Sequence, residues 1–310
     1  MAITRAERLA GGLLGLLVGD ALGVPYEFQA ASKLPPLEQI DFTPPLGFSR
    51  SHRGVPIGTY SDDGAQALCL LASLQACGGY NAHDLASRIA AWLTEGEYAV
   101  DREVFDVGIT TRQAVAEFRR GIPAESCGPT GKRDNGNGAL MRVLPLVLWH
   151  RRGETELIEL AMAQSRVTHG HVRSQICCAM YCLWARAILN EQPQPWEIAT
   201  HQLAQWCQQH PSHSREFETH VQAIGLSRGT GTGYVVDTLH STRWACSQGD
   251  FATIVRSAVA LGDDTDTTAA VAGGIAGLMV GAGGIPKQWR MALRGTEWWQ
   301  PLMVRLLQDD

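Results

Sequence analysis

Residues 261–268, LGDDTDTT, constrain what this chain can fold into more than any other stretch. They set Asp263, Asp264 and Asp266 among Thr265, Thr267 and Thr268, with no basic residue to neutralise them. Residues 269–285 follow without a single charge and are rich in glycine and alanine. An acidic knot opening an apolar, small-residue helix has two readings. Side-chain oxygens can satisfy the first free N–H groups of the helix. One cap needs one oxygen, however, and this stretch offers three carboxylates and three hydroxyls. Hard cations such as Mg²⁺ and Ca²⁺ take oxygen ligands of this kind. From this stretch alone, cap and metal site remain level.

A second cluster resembles the first. Ser61-Asp62-Asp63 precedes Ala65, Leu68, Cys69 and Ala72, which recur at i, i+3, i+4 and i+7 as one helix face. Capping would explain Ser61 and its acids taken singly. The repetition of hydroxyl and carboxylate at two separate helix starts weakens that explanation. Other features are less specific. Residues 9–23 are rich in glycine and leucine, suited to a helix packed closely on its neighbours. Asp20 and Glu27 emerge from its far end, where acids oppose the helix dipole and therefore suggest a site rather than a cap. Asp106 stands alone in apolar company, as a site acid or as an N-cap ahead of Ile109. Residues 131–138, GKRDNGNG, form a glycine-rich turn running into 139–144; such a turn entering a helix offers N–H groups to an anion such as a diphosphate. It is not a P-loop, because no Gly-Lys-Ser/Thr ends it. His169 and His171 stand at i, i+2 and do not share a helix face, which disfavours a zinc pair. Residues 229–234, GTGTGY, are a second glycine-rich loop, whose Tyr234 either stacks on a base or packs at a helix entry.

Helical periodicity dominates and no run shows sustained alternation, so an all-α fold is expected. With 310 residues, 45% of them hydrophobic and 18% charged, the composition is globular. A net charge of −5 without a basic run argues against general nucleic-acid binding. The eight cysteines form no CxxC pair, so zinc is not expected, and their apolar settings suit free thiols in a cytoplasmic protein. Residues 9–19 follow Arg5 and Arg8 like a short signal peptide, but Asp20 ends the run and no clean cleavage site follows. Neither this segment nor 269–285 is read as a membrane span.

In order, the blocks GDALGVPYE, GTYSDDGAQAL, VFDVGITTRQA, GNGALMRVLPL, VTHGH, GTGYVVDTL and LGDDTDTTAAVAGGIAG make the chain resemble the ADP-ribosylglycohydrolases, including the dinitrogenase reductase-activating kind. The resemblance covers nearly the whole chain. It implies one compact all-α domain over 1–310 with two Mg²⁺ ions, or Mn²⁺, in a central cleft. It places metal ligands on Ser61, Asp62, Asp63, Asp264, Asp266 and Thr267. It makes Glu27 the catalytic glutamate and matches Asp106 to an acid of the nitrogen-fixation branch. Asn135, Gly136, Asn137 and Gly138 with Met141 fall on the diphosphate side. His169 falls on a substrate contact, and Gly231, Gly233 and Tyr234 fall on the adenosine side. Two positions depart from the family pattern: Gly64 replaces a threonine, and Ile109 stands where a polar asparagine is expected. The implied activity is Mg²⁺-dependent release of ADP-ribose from a modified acceptor, ADP-ribosyl-arginine on protein foremost, by a monomer. A non-catalytic ADP-ribose binder, a phosphohydrolase acting on the diphosphate, and hydrolases of serine, O-acetyl or nucleic-acid linkages are the alternatives.

Overall fold

The computed structural model describes residues 3–308, and among them the helices fall in one order. They are α1 (Arg5–Gly23), α2 (Asp62–Cys77), α3 (Ala82–Glu95), α4 (Ile109–Arg119), α5 (Leu144–Trp149), α6 (Glu154–Arg166) and α7 (Val172–Leu189). The second half carries α8 (Pro195–Gln208), α9 (Pro211–Phe217), α10 (Val235–Ala245), α11 (Phe251–Val259), α12 (Thr265–Val280), α13 (Lys287–Ala292) and α14 (Thr296–Gln308). The fold is all-α. Among the described residues the only strand-like contacts are two isolated bridges, Ala30 with Gly262 and Gly136 with Tyr234.

The axis of the molecule is the pair α1 and α12. Thr4 and Glu7 start α1 with a capping box, Glu7 N–H donating to Thr4 Oγ1 at 3.2 Å and Thr4 N–H to Glu7 Oε2 at 2.7 Å. Glycines then recur every fourth residue, at 11, 15, 19 and 23, which places them on one face. That face lies directly on α12. A Cβ at Gly11 would strike the Gly277 carbonyl, one at Gly15 the Gly273 carbonyl, one at Gly19 the Ala269 carbonyl, and one at Gly23 the backbone of Asp266. Only glycine permits two helix backbones to approach this closely. Length and composition would let α1 cross a membrane, but 94% of its apolar window is buried inside this fold. Around the axis, α7 and α2 complete a continuous core in which Cys177, Cys178 and Cys182 are buried free thiols.

The seam brings the end of α1 beside the start of α12. Thr265 Oγ1 donates to the Gly23 carbonyl at 2.8 Å, and Phe28 N–H donates to the Asp263 carbonyl at 2.6 Å. Both acidic clusters and Glu27 thus come to one place.

Candidate active site

Asp20 has a role at the start of α2 that the sequence did not show. It is buried, and both its oxygens are committed to the start of α2, accepting from Ser61 N–H at 2.8 Å and Gly64 N–H at 2.7 Å. A carboxylate at the wrong end of its own helix therefore caps another one. Burial pushes Asp20 up to about 7 against the pull of those two N–H groups. With α2 capped from outside, its own acids are left for other work.

Ser61 is the N-cap residue of α2, accepting from Asp63 N–H at 3.4 Å. Asp63 accepts on Oδ2 from Ser61 Oγ at 2.9 Å and Thr267 Oγ1 at 3.4 Å, while its Oδ1 is buried without a partner. Asp266 accepts on Oδ1 from Thr267 N–H at 2.9 Å, and its Oδ2 is likewise buried and unpartnered. Asp264 occupies the N-cap position of α12 but makes no capping bond; its Oδ2 accepts from Asn137 Nδ2 at 2.8 Å. The capping reading therefore does not account for the knot. Orphaned carboxylate oxygens in a dry interior are costly unless a proton or cation satisfies them. Carboxylate oxygens of Asp20, Asp63 and Asp266 lie within 4.8 Å of one another, as do those of Glu27, Asp264 and Asp266. This donor set is all oxygen and anionic, and it fits a hard divalent cation. Without one, burial first and neighbouring carboxylates second hold Asp62 and Asp266 well above the ordinary range, and burial does the same for Asp63.

A cleft of about 560 Å³ opens above these acids. Glu27, Asp62, Asp106, Gly136, Asn137, Gly138, Met141, His169, Gly233, Asp264 and Thr267 line it, while Ser61, Asp63 and Asp266 are buried within the acidic cluster. Asp263 of the acidic knot and Ile109, the departure from the family pattern, line it as well, and the sequence reading left out Phe28, Gly108, Thr110, Thr111 and Thr232, which also do. Asp106 is not the N-cap of α4. That position belongs to Gly108, which makes no side-chain bond, so the start of α4 faces the cleft with free N–H groups. Asp106 sits in the left-handed region at φ 49°.

Burial, then Asp106 and Asp264, push Glu27 up to about 11. Its Oε2 meets His52 Nε2 at 2.5 Å. His52 lies in the proline-bearing segment between α1 and α2, with its ring 5.1 Å from that of Phe105 and 5.8 Å from that of Phe28. Burial, first of all, lowers the His52 pKa. His169 is neutral: burial first, and Arg142 second, press it down to about 3. His171 is the N-cap of α7 and accepts from Arg173 N–H at 3.1 Å.

Three expected substrate contacts do not line the cleft. Asn135 is buried, donating to the Lys132 carbonyl at 3.0 Å and accepting from Ser174 at 3.3 Å. Gly231, at φ 73°, is a backbone contact in which its carbonyl accepts from Asp264 N–H at 2.9 Å and a Cβ would meet Leu261. Tyr234 turns its hydroxyl to Arg173 at 3.0 Å. Asn135 and Tyr234 hold the two glycine-rich loops together, Val235 N–H donating to the Asn135 carbonyl at 3.0 Å and Tyr234 bridging to Gly136, while Gly231 ties the second loop to the acidic knot. Nor does a helix follow the first loop at once; residues 139–142 are turns and α5 begins at Leu144.

The ADP-ribosylglycohydrolase family profile matches residues 1–310. The chain belongs to the ADP-ribosylglycohydrolase family. It is 29% identical over 287 residues to the ADP-ribosylarginine hydrolase Tri1 of Pseudomonas putida (strain GB-1), covering 91% of this chain and 73% of that protein. It is 28% identical over 289 residues to the ADP-ribosyl-(dinitrogen reductase) glycohydrolase of Rhodospirillum rubrum, covering 91% and 89%. A solved structure described as an ADP-ribosylglycohydrolase-related protein complex superposes with a TM-score of 0.75 at 31% identity, over 98% of both chains. This ADP-ribosylglycohydrolase is an enzyme, a hydrolase that removes ADP-ribose from a conjugate, and its acidic clusters are suited to hold metal.

Proposed function

We propose that this chain is a Mg²⁺-dependent ADP-ribosylarginine hydrolase, with Mn²⁺ as an alternative ion and two ions bound. The observation that carries the metal is the pair of buried, unpartnered oxygens, Asp63 Oδ1 and Asp266 Oδ2, in a cluster with no cation of its own. Ser61, Asp62, Asp63, Asp264, Asp266 and Thr267 are the residues that would hold the ions. Bound divalent cations supply charge for ribose hydroxyls and lower the pKa of water.

The residues of the chain do the rest. Gly136 and Gly138 present a side-chain-free wall to the diphosphate beside the neutral His169, which adds no charge. Glu27 moves the proton: its carboxyl lines the cleft, and His52 fixes its direction. The acidic walls favour the cationic character that develops on a ribose as its leaving group departs. Asp106 and Asp263 extend those walls. Five carboxylates and no Lys or Arg line the cleft, which suits a guanidinium acceptor. Arginine is then released unmodified with free ADP-ribose. Eight free cysteines are consistent with a reducing, cytoplasmic setting.

The test is a panel of arginine, serine and O-acetyl conjugates of ADP-ribose incubated with Mg²⁺ and with chelator. Release of ADP-ribose from the arginine conjugate alone, abolished by chelator, is expected. Turnover that survives complete chelation ends the metal reading, and AMP as product would mean attack on the diphosphate instead.

A further inference from the structure

The cleft is anionic within and apolar at its edge. Among the described residues, Phe28 and Ile109 are the exposed large hydrophobic side chains that line it, at 65% and 86% exposure. They come from different elements, Phe28 from the turn after Glu27 and Ile109 from the first position of α4. Single exposed apolar residues are ordinary on a protein surface, but two on one cleft are not explained by chance exposure. Phe28 is also held at φ 58°, in the left-handed region that bulky residues avoid. The backbone pair with residue 263 keeps it there, Phe28 N–H donating at 2.6 Å and Asp263 N–H returning a bond to Gln29 at 2.8 Å. In this position the Phe28 ring is left largely exposed to water. His52 packs on the other side, its ring centroid 5.8 Å away.

We propose that Phe28 and Ile109 form an apolar jaw that grips the methylene stem of the acceptor side chain, and so select long cationic acceptors over short ones. The proposal rests on the arginine reading above and adds the residues that set its acceptor preference. The charge pattern names the occupant. A chain that enters past two apolar side chains and ends beside Asp106 and Asp263, the lining acids given neither to metal nor to proton transfer, must be apolar along its length and cationic at its tip. An arginine side chain has that shape. A serine or acetyl acceptor has no stem for the jaw to cover, and gains nothing from it.

The experiment compares kcat/KM for an ADP-ribosyl-arginine peptide with that for O-acetyl-ADP-ribose, in wild type, Phe28→Ala, Ile109→Asn, Ile109→Leu and Leu46→Ala. Removing one side of an apolar grip is worth about tenfold. Phe28→Ala and Ile109→Asn should each lower the arginine-to-acetyl ratio about tenfold, chiefly through KM, and Ile109→Leu should restore it. Leu46, fully exposed and away from the cleft, should leave the ratio unchanged. An unchanged ratio in Phe28→Ala and Ile109→Asn overturns the jaw, as does an equal loss on both substrates. If the wild type hydrolyses no arginine conjugate, the arginine reading has failed separately. The jaw is then judged by calorimetry: the wild type should bind the arginine conjugate more tightly than free ADP-ribose and the two variants should not, and equal binding in all three overturns it.

Discussion

Asn137 donates from its side-chain amide to Asp264 at 2.8 Å, so the glycine-rich loop and the acidic knot are one piece. The same amide reaches Thr238 Oγ1 at 2.9 Å, and the Asn137 backbone N–H donates to the Gly233 carbonyl at 3.1 Å. A residue on the expected diphosphate side therefore orients a carboxylate on the metal side. Asp62 is held in a similar manner. Gln66 donates to it at 3.2 Å and accepts from the fully buried Arg142 at 3.1 Å.

Metal and proton compete for the same oxygens. Asp62, Asp63 and Asp266 have folded pKa values raised above the unfolded value, so the stability they give is complete below about pH 4 and is lost as pH rises through the raised values. Metal-free protein should therefore gain more in melting temperature from Mg²⁺ at pH 8 than at pH 5. Thermal melts of chelator-treated protein with and without Mg²⁺ measure this. Equal shifts at both pH values would mean that the cation binds elsewhere.

Asp266→Asn removes one of several mutually repelling carboxylates. Calorimetry should show Mg²⁺ affinity falling by at least about tenfold, the scale of one lost charged contact. The metal-free melting temperature should rise in the same variant, because less charge is buried. A variant that binds Mg²⁺ like the wild type would leave Asp266 a structural acid only.

Glu27→Gln keeps the shape of the side chain and removes its proton chemistry. Single-turnover release of ADP-ribose should slow by about two to four orders of magnitude, the usual scale for a general acid or base. ADP-ribose affinity should hold, the signature of an interaction made mainly in the transition state. Near-normal turnover would pass the role to Asp106.

Gly136→Val tests the diphosphate wall. A Cβ there meets His169 Nε2 at 3.5 Å, an ordinary contact, so the fold should survive while the branched side chain fills the cleft. ADP-ribose should bind at least about tenfold more weakly, the scale of overfilling a pocket by a few methyl groups, with Mg²⁺ affinity unchanged. An unaltered dissociation constant for ADP-ribose would move the diphosphate elsewhere, the uncapped start of α4 being the next place to look.

What the sequence made legible was whatever a local pattern encodes. Acid and hydroxyl repeated at two helix starts pointed to Asp62, Asp63, Asp264 and Asp266, and the glycine and leucine content of residues 9–23 pointed to a close-packed core helix. What it hid were partners far apart in the chain. The capping role of Asp20 was hidden because the α2 N–H groups it accepts from begin 41 positions away. His52 was invisible because nothing in a proline-rich stretch says that it will reach Glu27, 25 positions away. The bond from Arg173 to the Tyr234 hydroxyl was hidden as well, since it crosses 61 positions. Family resemblance supplied roles for such residues but not the packing that decides which way they face.

The seam between α1 and α12 also sets when this enzyme can come into being. Asp63 and Thr267, which share a hydrogen bond, are 204 positions apart, and Gly23 and Thr265 are 242 apart. A chain emerging from the ribosome therefore carries its first acidic cluster, Glu27 and the leucine-rich face of α1 long before anything exists to cover them. Until about residue 280 has been made, α1 is an apolar rod without its mate and the carboxylates are half a cage. The order of synthesis thus leaves the acidic cluster and the cleft above it to be completed only when the last part of the chain is made.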